Sequence, residues 1–205
     1  QIDTLHRQLH GHDSGHFGML EAVDDPAVFD SLFAAAEAWL RERGAARITG
    51  PFNLTINQES GLLVEGFDHP PCAMMGHGQR FYDQRLAALG YRQAKDLLAY
   101  WMRTDQLHFP PALSAMMARE RKRVVIRPLD TRQFRRDMRI LREIFNDAWS
   151  RNWGFVPFTE AEFFELGSQL RLLVPKDLLY IAEVDGEPCA FIVAIPNINE
   201  AIASL

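Results

Sequence analysis

Residues 178–196, LLYIAEVDGEPCAFIVAIP, decide the fold. Two runs rich in β-branched and aromatic residues flank Asp185-Gly186. Asp-Gly in that setting signals a hairpin, because both central residues of the favoured turn take a positive φ. Working backwards, Thr159 with Glu162 three residues on reads as a capping box opening one helix, and Asp130 with Gln133 opens an earlier one. The apolar face of that earlier helix is Phe134, Met138, Leu141, Phe145 and Ala148, and the strand VVIRPLD precedes it from Val124. The expected order is therefore strand, helix, helix, strand, strand.

Upstream the pattern differs. FGMLEAV, residues 17–23, reads as a strand, and Asp25-Pro26 supplies an N-cap and a proline at the first helical position. Phe29, Leu32, Phe33, Ala36, Trp39 and Leu40 recur at helical spacing, and Gly44 stands where a left-handed residue closes a helix. RITGPF is the next expected strand. Phe81, Leu86 and Leu89 mark a helix ended by Gly90, DLLAYWM at 96–102 reads as a strand, and LHFPPALSAMMARERKR as a proline-entered connecting helix. The double proline Pro110-Pro111 divides the chain into an expected first unit at 1–108, a connecting helix at 109–123 and a second unit at 124–205.

At 205 residues and 47% hydrophobic content the sequence has the composition of a globular protein with a buried core. A net charge of −5 argues against an electrostatic grip on nucleic acid, which needs a concentrated basic surface. Arg119, Arg121, Lys122 and Arg123 form a local basic cluster, read as a solvated helix end. Cys72 and Cys189 give neither a disulfide framework nor zinc-ligand spacing, so a reducing, cytoplasmic setting is expected. No apolar run approaches the roughly 20 residues that span a bilayer. The chain begins at Gln1 rather than Met and stops in NEAIASL, which reads as the opening of another element, so it is expected to be a piece of a longer protein.

The strand-helix-helix-strand-strand order of 124–196 resembles the first half of the GNAT acyltransferase fold, and the region from FGMLEAV to DLLAYWM resembles its second half. GPFNLTINQESGLLVEGFDHPP (50–71), FYDQRLAALGYRQAKDLLAY (81–100) and NDAWSRNWGFVPFTEAEF (146–163) together are similar to a bacterial family of tandem-GNAT proteins described as N-acyltransferases. The resemblance implies a mixed α/β (α+β) chain of two partial GNAT-like units. It also implies a coenzyme A-dependent transfer of an acyl group to an amine, with a lipid amine among the acceptors and acyl-CoA as co-substrate of the intact protein. At the position where GNAT enzymes hold the pyrophosphate on a glycine-rich loop, this chain reads EAVDDPAVF. Asp24 and Asp25 repel a pyrophosphate and Pro26 donates no N–H, so no cofactor site and no activity are expected from this stretch of chain alone. The alternative is a non-catalytic GNAT-like binding or scaffolding module, and a sheet edge exposed by truncation would invite self-association.

Acyl transfer to an amine needs a base for the ammonium proton and an acid for the leaving group. Glu59, clustered with Asn53 and Asn57 beyond a strand end, is the expected base. The same three residues also suit a loop-fixing hydrogen-bond network. Glu21 is a second carboxylate, on an expected strand edge. By resemblance Tyr82 is a candidate acid, with packing as its alternative role. By the same resemblance Asn146, Trp149, Asn152 and Trp153 border an acceptor pocket, with packing again the alternative for the tryptophans. His77, beside the apolar PPCAMM run, either lines the site or caps a turn, and Asn197 and Asn199 either face it or make turns. His6, His10, His12 and His16 include i, i+4 pairs, but Gly11 and Gly15 interrupt a helix, so a solvated strand and turn is expected there and no metal site.

Overall fold

The computed structural model describes residues 1–11 and 13–203, apart from the side chains of Thr104 and Ala201. In chain order the first elements are α1 (Thr4–His10), β1 (Ser14–His16), α2 (Pro26–Glu42), β2 (Arg47–Thr49), β3 (Phe52–Asn53), β4 (Glu59–Ser60) and α3 (Tyr82–Ala88). Then come α4 (Pro111–Glu120), β5 (Val124–Pro128), α5 (Phe134–Trp149), α6 (Glu160–Leu170), β6 (Leu179–Val184), β7 (Glu187–Val193) and α7 (Ile198–Ala203). The fold class is mixed α/β, with small sheets. Among the described residues, those within 1–97, 151–156 and 197–203 form one compact unit, and those within 98–150 and 157–196 form the other.

In the second unit, β5, β6 and β7 form an antiparallel sheet in that order. The turn between β6 and β7 is the expected hairpin, with φ of 54° at Asp185 and 88° at Gly186. Ile181 on β6 is fully buried and packs with Leu129 after β5, Met138 and Leu141 of α5, Phe158 before α6 and Phe163 of α6. Thr159 and Glu162 make both bonds of the expected capping box. The Asp130 box does not close: its side chain takes Arg132 N–H, while its own N–H goes to Asp137 at 2.8 Å. Asp137 is fully buried and receives Arg127 Nη1 and Nη2 at 2.7 and 3.0 Å, while Arg127 Nε reaches Glu183 at 2.7 Å. One guanidinium thus joins β5, α5 and β6. Burial alone would raise the Asp137 pKa, but the N–H donors of Arg127 and Asp130 hold it below the usual carboxylate range.

In the first unit, β1 and β2 pair in parallel across the intervening α2. The expected strand at 17–23 is displaced: the paired residues are Ser14–His16, and the chain beyond them leaves regular pairing. Gly18 lies so close to the Phe52 carbonyl that a Cβ would stand 1.9 Å from its oxygen, so no larger residue fits this approach. Helix α2 starts on Asp25, whose carboxylate takes Ala27 N–H, and buries Phe29, Phe33 and Leu40, while Leu32 and Trp39 stay exposed. Gly44 follows it with φ 77°. Phe29 and Phe33 pack with Tyr82 and Leu86 of α3. The expected strand DLLAYWM carries no strand pairing: residues 91–103 are irregular, and Leu98, Tyr100, Trp101 and Met102 are each more than 60% exposed. β-propensity without a cross-strand partner does not make a strand.

Candidate functional site

The segment from β3 to β4 is built around its own polar groups. Phe52 and Asn53 pair antiparallel with Ser60 and Glu59, which brings the Asn53 and Glu59 side chains together. Asn53 Nδ2 donates to Glu59 Oε2 at 2.9 Å, and Asn53 Oδ1 accepts Met19 N–H at 2.6 Å. The amide therefore bridges the carboxylate and the chain leaving β1. Between them Thr55 and Gln58 close the loop, Gln58 N–H reaching the Thr55 carbonyl at 3.2 Å. Asn57 Nδ2 donates to the Val156 carbonyl at 2.6 Å, which anchors residues 151–156 on this loop.

That short segment carries Asn152 and Trp153, both exposed, with the Trp153 ring 6.5 Å from Phe52. Asn53, Asn57, Glu59, Asn152 and Trp153 therefore share one neighbourhood of the first unit. It brings a half-buried carboxylate, three amides and an indole close to a short hairpin. Such a surface can accept a proton, hydrogen-bond a polar head and lay an apolar chain against a ring.

The remaining candidates lie elsewhere. Tyr82 is 2% exposed among Phe29, Phe33 and Leu86, and its hydroxyl donates to Glu21 Oε2 and accepts Ala22 N–H, each at 3.1 Å. Burial pushes its pKa up. Its hydroxyl holds residues 21–22 against α3. His77 is exposed, its ring edge against Phe67 at 6.1 Å. Asn146 belongs to the second unit, where Nδ2 donates to the Phe158 carbonyl at 3.1 Å and Oδ1 accepts Phe158 N–H at 2.9 Å. Both ends of that amide are committed to fixing the chain before α6. Trp149 stacks on Phe145, one turn back, at 5.4 Å. Asn199 donates to the Pro71 carbonyl at 2.5 Å. At the head of α2 the Asp25 carboxylate already caps the helix and Asp24 pairs with Arg85 at 2.7 Å, so an added phosphate would meet negative charge there.

The histidines depart from expectation. Residues 4–10 form a helix, started by Asp3 accepting His6 N–H at 2.9 Å, and this aligns His6 and His10 with rings 4.6 Å apart. His16 lies 4.5 Å from His6, is 2% exposed, and bonds Thr49 Oγ1 through Nδ1 at 2.8 Å. Burial, then the neighbouring His6, lowers its pKa to about 4. The signal for this helix was Asp3 at the N-cap, two residues into the chain. His12 lies outside the described residues. Among the described residues no three His, Cys, Asp or Glu side chains are grouped to hold a metal, and no helix is long and apolar enough to cross a membrane.

Two curated proteins are similar to the chain over all of its length. One is Protein YghO of Escherichia coli, 60% identical over 205 residues that make up 53% of that protein. The other is named Bacterial ceramide synthase, from Caulobacter vibrioides, 46% identical over 208 residues, 54% of its length. The chain spans about half the length of the curated relatives it matches. No family model matches, and no solved structure does.

Proposed function

We propose that this chain is part of an enzyme that joins an acyl group to a long-chain lipid amine, using an acyl-coenzyme A. The observation that carries the proposal is the 46% identity, across every residue of the chain, to a protein named for ceramide synthesis. A ceramide is the amide of a fatty acid with a long-chain amino alcohol. The GNAT-like reading is supported by the parallel β1–β2 pair across α2 and by the β5-α5-α6-β6-β7 order. The exposed apolar run at 97–102 suits a protein that handles lipid.

In this reading Glu59 takes the proton from the acceptor ammonium, and Asn53, bonded to Oε2, orients that carboxylate. Asn57 holds residues 151–156 in place, so Asn152 and Trp153 line the acceptor side. Tyr82 keeps a packing role. A coenzyme A thioester supplies an activated acyl carbon and a good leaving group. The acid-capped head of α2 does not fit its phosphates, so no step here runs through it.

That same helix head favours a second reading, a binding or scaffolding unit without chemistry of its own. One experiment separates the two. Full-length protein is incubated with a long-chain amino alcohol and a long-chain acyl-coenzyme A, and the amide is followed by mass spectrometry. Amide formation, reduced about 100-fold or more when Asn57→Ala, Glu59→Ala and Asn152→Ala are combined, is the expected result. Turnover unchanged in that variant removes the site, and no amide in the wild type leaves the scaffolding reading.

A further inference from the structure

Helix α5 carries Arg135, Arg139 and Arg142 at i, i+4 and i+7, so all three fall on one face. Within the second unit they line a cleft of about 60 Å³ whose other walls are Met138, Glu160, Phe163 and Phe164. This is several times the roughly 10–15 Å³ that a single water needs. The guanidinium of Arg135 lies 4.4 Å over the Phe164 ring, and Arg139 Nε stands 3.9 Å from Glu160, the outer limit of an ion pair. Arg142 Nε is buried and has no hydrogen-bond partner among the described residues. Three positive charges face one carboxylate, and one buried cationic donor is left unsatisfied.

A buried N–H on a charged group without an acceptor is costly enough to need a reason. A turn of the Arg142 side chain toward an anion in the cleft would supply one. The surplus of two positive charges matches a phosphate monoester, which carries about −1.5 to −2 at neutral pH and offers three acceptor oxygens to guanidinium forks. We propose that the cleft between α5 and α6 binds a phosphate monoester group, either on a soluble metabolite or on a lipid head. The inference does not rest on the acyl-transfer reading.

The full chain is titrated with inorganic phosphate, against sodium chloride of equal ionic strength, by calorimetry and by thermal unfolding. Wild-type protein is expected to bind with a saturating rise in Tm. Arg142→Met keeps the apolar stem and removes the unpaired donor, so it should bind at least about tenfold more weakly without losing phosphate-free stability. Arg139→Gln, at a largely exposed position, should weaken binding to a similar degree and keeps the test available if Arg142→Met does not fold. Absence of a wild-type response beyond chloride overturns the proposal, as does an equal response in wild type and Arg139→Gln.

Sedimentation with phosphatidylcholine vesicles, with and without phosphatidic acid, identifies the source. Capture by phosphatidic acid that free phosphate competes away and Arg139→Gln weakens supports the site with a lipid head as ligand. Phosphate binding without vesicle capture supports it with a soluble monoester. Vesicle capture unchanged by Arg139→Gln counts against the cleft.

Discussion

His16 makes the first unit sensitive to acid. It is buried, beside His6, with its Nδ1 held at Thr49. Because its pKa in the folded chain is about 4 against an ordinary 6.5, the unfolded chain binds a proton over a range where the folded chain does not. Stability is therefore full above about pH 6.5 and falls as pH drops toward 4, by about 2 kcal/mol at pH 5. Burial lowers the His6 pKa in the same direction, with His10 adding to it and Asp3 opposing. Urea midpoints measured at pH 7.5 and pH 5 should separate more in wild type than in His16→Gln, and an equal separation would remove His16 as the cause. None of this was legible from the residue spacing, because Gly11 and Gly15 argued against a helix while the helix ends at His10, just before the first of them. Asn53, Asn57 and Glu59 were legible as a cluster, since a two-residue strand pair forces near neighbours in sequence to meet. The Val156 partner of Asn57, 99 positions away, was not.

At the scale of elements, local chemistry predicted ends better than pairings. Asp25-Pro26, Thr159 with Glu162, and Asp185-Gly186 each act through bonds or dihedrals within a few residues, and each appears as expected. Strand assignments at 17–23 and 96–102 failed because a strand exists only where a distant partner offers a ladder. Helix α5 is tied to β5 through Asp137 and Arg127. Asp137→Asn removes the fully buried charge of the pair and leaves the half-buried Arg127 with Glu183 alone, and should destabilise the second unit by about 3 kcal/mol. Asp185→Asn removes a solvent-exposed pair with Arg123 and should change stability far less. Denaturant unfolding of the two variants checks the contrast, and equal effects would contradict the assigned role of the buried network.

Across the whole molecule, the irregular stretch at 91–103 joins elements without regular structure of its own and carries Arg92, Lys95 and Arg103 on its exposed length. Trypsin at low ratio should cut there first, before any helix is attacked. The two products should then migrate together under native conditions and separate only in denaturant, because the first unit is assembled from both sides of the cut: His10 Nε2 lies 2.7 Å from the Phe155 carbonyl, and Asn57 reaches Val156. Immediate dissociation on native gels would contradict that assembly. The same interleaving governs manufacture of the chain. A ribosome releases residues from the N-terminal end, so Asn57 is synthesised about a hundred residues before its acceptor exists. The early portion waits with its loop unfastened while most of the later unit emerges, and a cell that slows translation past Val156 prolongs the interval in which that loop is open to proteases and to other nascent chains.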